Sequence, residues 1–186
     1  FLEFYFSTVP EGPLSPRLSA LKAGDAVQVA PKPNGFLVLD EVPPSIHLWL
    51  VSTGTGLGPF LSILQTAEPW QRFQRVVLVH AARTADELTY RRTIARIAEA
   101  EPKRFTYVPF LSRESADYAL AGRIPQAIAD GRLEARAGLG FDAALAHVML
   151  CGNPAMVADA SAALTTRGFR KHKRKEPGQI SMETYW

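Results

Sequence analysis

Ser52-Thr53-Gly54-Thr55-Gly56-Leu57-Gly58-Pro59 joins an uncharged apolar run, Leu48-Trp49-Leu50-Val51, to Phe60-Leu61-Ser62-Ile63-Leu64, where apolar residues resume at helical spacing. A buried strand, a glycine-rich turn and a helix start bring backbone close to a phosphate. Glycines remove side-chain bulk, free N–H groups point outward, and the helix dipole favours an anion. No Gly-Lys-Ser/Thr follows, which excludes a Walker A loop, and Pro59 stands where the last glycine of Gly-x-Gly-x-x-Gly would be. The alternative is that these glycines serve only the packing of strand against helix.

Basic residues recur at the ends of later apolar segments. Val79-His80-Ala81-Ala82-Arg83 closes one, Ser112-Arg113-Glu114 follows another, and Gly122-Arg123-Ile124-Pro125 precedes a helical pattern. An acidic side chain after the second strand of a dinucleotide site holds a ribose 2′-hydroxyl, whereas arginine there suits a 2′-phosphate. Three guanidinium groups at neighbouring strand ends can grip a dianion through charge-assisted bonds. They favour NADP(H) over NAD(H), against the alternative of ordinary surface arginines. Asp86 and Glu87 follow Arg83 and are better placed to cap the next helix than to bind ribose. A last apolar run ends in Cys151-Gly152-Asn153-Pro154 and then Met156. The four histidines have no metal-ligand spacing, so no metal is expected, and His80 and His147 fall on strand patterns as structural residues. No Ser/His/Asp or paired-carboxylate constellation is present.

These residues need a scaffold that brings strand ends together. Beyond Pro43-Pro44, which marks a candidate domain boundary, strands are expected at 47–52, 75–81, 105–111 and 146–151. Helices are expected at 58–67, 87–100, 124–130 and 154–166, the second with Arg92, Ile94, Ile97 and Ala98 at half-buried spacing. This alternation predicts an α/β fold: a parallel, Rossmann-like sheet with helices on both faces and its ligand outside the carboxyl ends of the strands. Residues 131–145 carry no readable pattern. Ahead of the boundary, 2–9, 26–30 and 36–39 are strand-like, and 14–21 reads as a short helix with Ser15 as cap and Pro16 in its first position.

Composition narrows the class. The 186 residues are 47% hydrophobic and 21% charged, enough for a real core in one or two domains. No apolar run reaches membrane-spanning length and no signal peptide opens the chain, so a cytoplasmic protein with no membrane partner is expected. One cysteine, Cys151, excludes an internal disulfide and fits a reducing compartment. A formal charge of +3 is too weak to imply nucleic acid. The basic run Arg170-Lys171-His172-Lys173-Arg174-Lys175 has no interleaved aromatics; it reads as a patch that steers an acidic partner or as a solvated connection.

Thr53-Gly54-Thr55-Gly56-x-Gly58-Pro59 with Cys151-Gly152-Asn153-Pro154-x-Met156 resembles the flavin-dependent ferredoxin–NADP⁺ reductase family. Leu2-Glu3-Phe4-Tyr5, Leu14-Ser15-Pro16-Arg17-Leu18, Val79-His80-Ala81-Ala82-Arg83 and terminal Tyr185-Trp186 resemble its bacterial branch, and the likeness runs over nearly the whole chain. The resemblance implies that 1–43 is the C-terminal part of an antiparallel FAD-binding β-barrel and 44–186 an NADP(H)-binding domain. It places Phe4, Tyr5 and Phe6 along the flavin, Leu14 and Ser15 near its pyrophosphate, and Thr55 between flavin and nicotinamide. Thr53, Gly54 and Gly56 fall in the same turn. It matches Arg83, Arg113 and Arg123 to the 2′-phosphate ligands and Cys151, Asn153 and Met156 to the nicotinamide side, with Ser112 and Gly152 counted among the cofactor-binding residues. Tyr185 and Trp186 match the aromatic end that covers the flavin.

Catalytic roles implied in this way fall to Cys151, Glu183 and Tyr185; a small buried residue is an equal reading of Cys151, and a solvated tail carboxylate is the plainer reading of Glu183. The family's Arg-x-Tyr-Ser flavin motif belongs upstream of Phe1, where the chain opens in mid-strand pattern. The implied function is electron transfer between NADP(H) and ferredoxin or flavodoxin through FAD, by a monomer. The alternatives are an NADP(H)-binding module without activity of its own, or a reductase serving an oxygenase; the latter usually brings an iron–sulfur domain, which one cysteine does not supply.

Overall fold

The structure is a computed structural model that describes residues 2–32 and 35–184. The chain divides into two compact units, Phe1–Phe36 and Leu37–Trp186.

The second unit is built on a six-stranded, wholly parallel sheet. Its strands are β1 (His47–Thr53), β2 (Arg75–Ala82), β3 (Phe105–Leu111), β4 (Leu120–Ala121), β5 (Ala146–Gly152) and β6 (Ile180–Thr184), in the order β4-β3-β2-β1-β5-β6. The four long strands expected from the sequence form within a residue or two of their predicted limits. Continuous apolar runs without alternation mark strands covered on both faces, and β5 is buried along its whole length. Helices α2 (Leu57–Leu64), α4 (Arg91–Ala100), α5 (Ile124–Ala129) and α7 (Pro154–Thr165) occupy the expected crossovers.

Alternate strand residues serve the two faces. Trp49, Val51, Val77, Val79, Val148 and Leu150 share one core with residues of α5, α7 and α6 (Arg132–Ala137). Leu48, Leu50, Val76 and Leu78, fully buried as well, point to the opposite face. There α2 packs on β1 and α4 on β3.

Several expectations change. Helix α2 stops at Leu64, and Glu68–Arg72 forms a separate helix, α3, with Pro69 near its start. Helix α4 begins at Arg91 rather than 87, because Ala85–Glu87 forms a 3₁₀ turn and Tyr90, at φ 56°, is the cap. Asp86 and Glu87 therefore do not cap that helix. The unreadable stretch 131–145 contains α6, bounded by Gly131 and Gly138, both in left-handed backbone. Glu183 is not a solvated tail residue, because β6 carries it into the sheet beside β5.

The first unit holds one short helix, α1 (Ser15–Ser19). Leu14 is its cap and Pro16 its second residue, while the Ser15 hydroxyl accepts the Val9 N–H at 2.9 Å, so Ser15 is not the cap. The strands expected at 2–9 and 26–30 do not form among the described residues. Residues 36–39 run instead into a 3₁₀ turn at Leu39–Glu41. A barrel strand has no hydrogen bonds of its own; it needs a neighbour to complete the ladder, and no described residue of this unit provides one. Leu37, Leu39 and Val42 are buried in the second unit, where the Arg72 guanidinium donates to the carbonyls of Leu39 (2.7 Å) and Val42. No described helix is long and apolar enough to cross a membrane.

Candidate functional site

The strand order reverses between β1 and β5, since β2, β3 and β4 extend to one side of β1 and β5 and β6 lie on the other. Helices that follow β1 and β5 leave on opposite sides of the sheet, so a crevice opens at the carboxyl ends of these two strands. The glycine-rich turn lies there. Thr53 ends β1, Gly54–Gly56 makes a 3₁₀ turn, and α2 begins at Leu57.

Contact between the two strand ends is close. A Cβ on Gly56 would stand 2.4 Å from the Cys151 carbonyl oxygen and 2.9 Å from the Gly152 Cα. A Cβ on Gly152, at φ 131°, would stand 2.3 Å from the Thr53 Oγ1. That hydroxyl accepts the Asn153 N–H at 2.9 Å. Asn153 in turn caps α7, its Oδ1 accepting the N–H groups of Ala155 (3.0 Å) and Met156 (3.2 Å). Thr53, Gly54, Thr55, Gly56, Cys151, Gly152, Asn153 and Met156 thus form one constellation. Strand β6 adds to it, with Glu183 the register partner of Cys151 and Thr184 of Gly152. Cys151 is fully buried and Glu183 half-buried.

Beneath the turn lies His80, fully buried on β2 as the register partner of Ser52. Burial pushes its imidazole down to about 4, while the nearby Gly54 backbone favours the charged ring. Both ring nitrogens lack a hydrogen-bond partner of good geometry. His147 is buried too, its Nε2 2.9 Å from the Ser181 hydroxyl, and burial together with the charges of His172 and Arg72 pushes it down to about 3. Both histidines are core residues, as expected. No group of three or more His, Cys, Asp or Glu side chains that could hold a metal occurs among the described residues.

The arginines fall at the adjoining strand ends. The Arg113 N–H donates to the Arg83 carbonyl at 3.0 Å, and Ser112 donates to the Ala82 carbonyl at 3.1 Å, so the ends of β2 and β3 are tied together. Gly122 donates to the Leu111 carbonyl at 2.9 Å, which brings the next residue, Arg123, to the same end as the N-cap of α5. Arg83 is not unpartnered. Its guanidinium pairs with Glu87 Oε1 at 2.7 Å, and its N–H donates to Glu87 Oε2 at 3.0 Å. Sequence reasoning missed this pair, although the i, i+4 spacing of Arg83 and Glu87 was the available signal.

Phe4, Tyr5, Phe6, Leu14 and Ser15 belong to the first unit. There Phe4 and Leu14 each expose 61% of their surface and Phe6 40%. Tyr185 and Trp186 lie outside the described residues. In the basic run, Arg174 makes a two-pronged pair with Glu41 (2.6 and 3.1 Å) and Lys173 pairs with Glu176 at 3.2 Å. Arg170, Lys171 and Lys175 remain exposed.

The residues present fit a dinucleotide phosphate. Gly56 and Gly152 let the ends of β1 and β5 meet at distances that a Cβ would forbid, and cationic side chains stand at neighbouring strand ends. Phe4 and Phe6, exposed in the first unit, are of the chemical type that suits a flavin's apolar ring.

Known proteins are similar to this chain over most of its length. Residues 50–162 match the family model of the oxidoreductase NAD-binding domain. The flavodoxin/ferredoxin–NADP reductase of Escherichia coli (strain K12) is 48% identical over 186 residues, all of this chain and 75% of that protein. The ferredoxin–NADP reductase of Pseudomonas aeruginosa is 37% identical over 98% of this chain and 73% of its own length. A crystal structure of a ferredoxin NADP⁺ reductase from Neisseria gonorrhoeae with bound FAD and NADP superposes with a TM-score of 0.89 at 32% identity. That match covers 96% of this chain and 72% of the other. A glycine turn seated on the last residues of β5, arginines at the ends of β2 and β3, and identity of this extent place the chain in the flavodoxin/ferredoxin–NADP reductase family.

Proposed function

We propose that this chain is the NADP(H)-handling part of a flavoprotein oxidoreductase that transfers electrons between NADP(H) and ferredoxin or flavodoxin through FAD. The observation that carries the reading is the seating of Thr53–Gly56 on Cys151–Asn153 where the strand order reverses. In the domain division that follows, 1–43 is the last part of the FAD-binding domain and 44–186 the NADP(H)-binding domain.

The chemistry asks for positioning more than for acid–base groups. FAD, when bound, supplies the conversion between a two-electron hydride donor and a one-electron carrier. The protein's own residues hold the reactants in place. Thr53, Gly54, Gly56 and Gly152 let backbone approach the pyrophosphate, with the α2 dipole favouring its charge. Arg83, Arg113 and Arg123, with Ser112, take the 2′-phosphate. Thr55, Cys151, Asn153 and Met156 line the nicotinamide side, where a buried thiol in place of water keeps the ring's face dry. Glu183, beside Cys151, is the group that can hold a proton there. Phe4, Tyr5, Phe6, Leu14 and Ser15, and from the C-terminal end Tyr185 and Trp186, are the residues assigned to the flavin by the family resemblance.

The exposed cations Arg170, Lys171 and Lys175 suit an acidic carrier protein and raise its encounter rate. A monomer in the cytoplasm is the setting that the single cysteine and this soluble-carrier chemistry support.

Calorimetric titration with NADP⁺ and NAD⁺ tests the nucleotide assignment. NADP⁺ should bind more tightly, and Arg123→Ala should remove most of the difference. Equal affinity for the two nucleotides would refute it. NADPH oxidation with FAD and flavodoxin, followed at rising salt, tests the electron acceptor.

A further inference from the structure

The Ala85–Glu87 turn after β2 is held from three sides. Glu114 accepts the Ala85 N–H from the end of β3, and the Arg91 guanidinium donates to the Ala85 carbonyl from α4. Glu87 closes the third side by binding both the N–H and the guanidinium of Arg83. So fixed, its half-buried carboxylate stays beside Arg83. Arg113 is also near: hydrogen bonding by the Arg83 guanidinium, with the charge of Arg113 adding to it, holds Glu87 below the usual carboxylate range. One carboxylate is therefore paired with a cation assigned to the 2′-phosphate, and this arrangement is unfavourable to a dianion. The incoming phosphate must displace Glu87 from Arg83 or share the guanidinium with a like charge.

We propose that Glu87 is a specificity-determining residue that competes with the nucleotide 2′-phosphate for Arg83, lowering affinity for NADP(H) while leaving NAD(H) untouched. This rests on the reading of Arg83 as a 2′-phosphate ligand. The competition keeps the site from holding product too firmly and compresses the preference of NADP(H) over NAD(H). An exposed ion pair is a weak competitor and is screened by salt. The expected effect is accordingly moderate, about two- to five-fold in Kd at low ionic strength.

The test is Glu87→Gln. The amide oxygen can still accept the Arg83 N–H, so the turn keeps its shape while the charge is removed. Calorimetry on the 186-residue chain would use 2′,5′-ADP as the probe with the phosphate and 5′-AMP as the probe without it. Glu87→Gln should tighten 2′,5′-ADP about two- to five-fold, leave 5′-AMP unchanged, and lose this gain in high salt. In an Arg83→Ala background the same substitution should gain little, because the contested partner is gone.

An unchanged or weaker affinity of Glu87→Gln for 2′,5′-ADP would overturn the proposal and point to Glu87 as a support that orients Arg83. If Arg83→Ala weakened both probes equally, or neither, the 2′-phosphate reading itself would fall, and the proposal with it. Arg83→Ala that weakens only 2′,5′-ADP, alongside an inert Glu87→Gln, refutes the competition alone.

Discussion

Substituting Gly56 tests whether the glycine turn is seated on β5 as described. Gly56 has φ −60°, which any residue adopts, so an alanine there meets no backbone strain. What it meets is β5: its Cβ would stand 2.4 Å from the Cys151 carbonyl oxygen, 2.6 Å from the Cys151 carbonyl carbon and 2.9 Å from the Gly152 Cα. Ordinary contact begins near 3.5 Å, so about 1 Å must be found. All three atoms are backbone in a strand paired on both sides, to β1 and to β6, and none can turn aside as a side chain would. The cost of Gly56→Ala belongs at the top of the overpacking range, about 3 kcal/mol.

Gly54 is the internal control. An alanine there has nothing within 4 Å but must adopt φ +52°, which costs about 1 kcal/mol. Urea unfolding followed through Trp49, buried and stacked on Phe141 at 4.1 Å, reads the second unit directly. Gly56→Ala should lower the unfolding free energy by about 2 kcal/mol more than Gly54→Ala, roughly a thirty-fold difference in the unfolding constant. It should also weaken NADP⁺ binding, because a turn pushed off β5 separates Gly56 from Cys151 and Thr53 from Asn153. Equal stability of the two variants would show that the turn does not rest on β5, and the site as built here would be wrong.

Other expectations follow from the same geometry. Arg123→Ala, at the α5 cap, should weaken NADP⁺ about ten-fold or more while sparing NAD⁺; equal losses would contradict its assignment. His80 and His147 have folded values of about 4 and about 3, below the ordinary value for histidine. Between these values and about 6.5 the unfolded chain binds more protons, so stability rises with pH across that window and is lost as pH falls through it, by about 1.4 kcal/mol per pH unit for each histidine. Urea midpoints at stepped pH should show this slope and His147→Gln should reduce it, whereas a flat profile would mean that the rings are solvated. Glu134 accepts the Phe141 N–H at 2.7 Å and pairs with Arg167 at 2.8 Å, so Glu134→Ala should cost about 1 to 2 kcal/mol in the same assay, and no loss would remove this pair from the account of α6.

The sequence by itself determined the frame of the second unit. Uncharged runs such as Leu48–Val51, short and closed by a glycine turn, read as strands covered on both faces, and Gly54-Thr55-Gly56 with Pro59 marks where a strand gives way to a helix. Both signals are local, carried by neighbours in the chain, which is why strand limits and the members of the site were legible there. The family resemblance rested on the same short motifs. What one residue does to another far along the chain was not legible. Glu183 looked like a tail residue until β6 paired with β5 and set it beside Cys151, 32 residues away in sequence.

The same holds for the turn after β2. Asp86 and Glu87 had the composition of a helix start, but Glu114, from the loop after β3, and Arg91, the first residue of α4, both bond to Ala85 in that turn, and Glu87 pairs with Arg83. The strand patterns at 2–9 and 26–30 show the limit from the other side. A β propensity specifies a surface that fits a sheet, and only a partner strand turns it into one. Period and turn chemistry are written in the chain one segment at a time; pairing, register and competing charges exist only once distant segments meet.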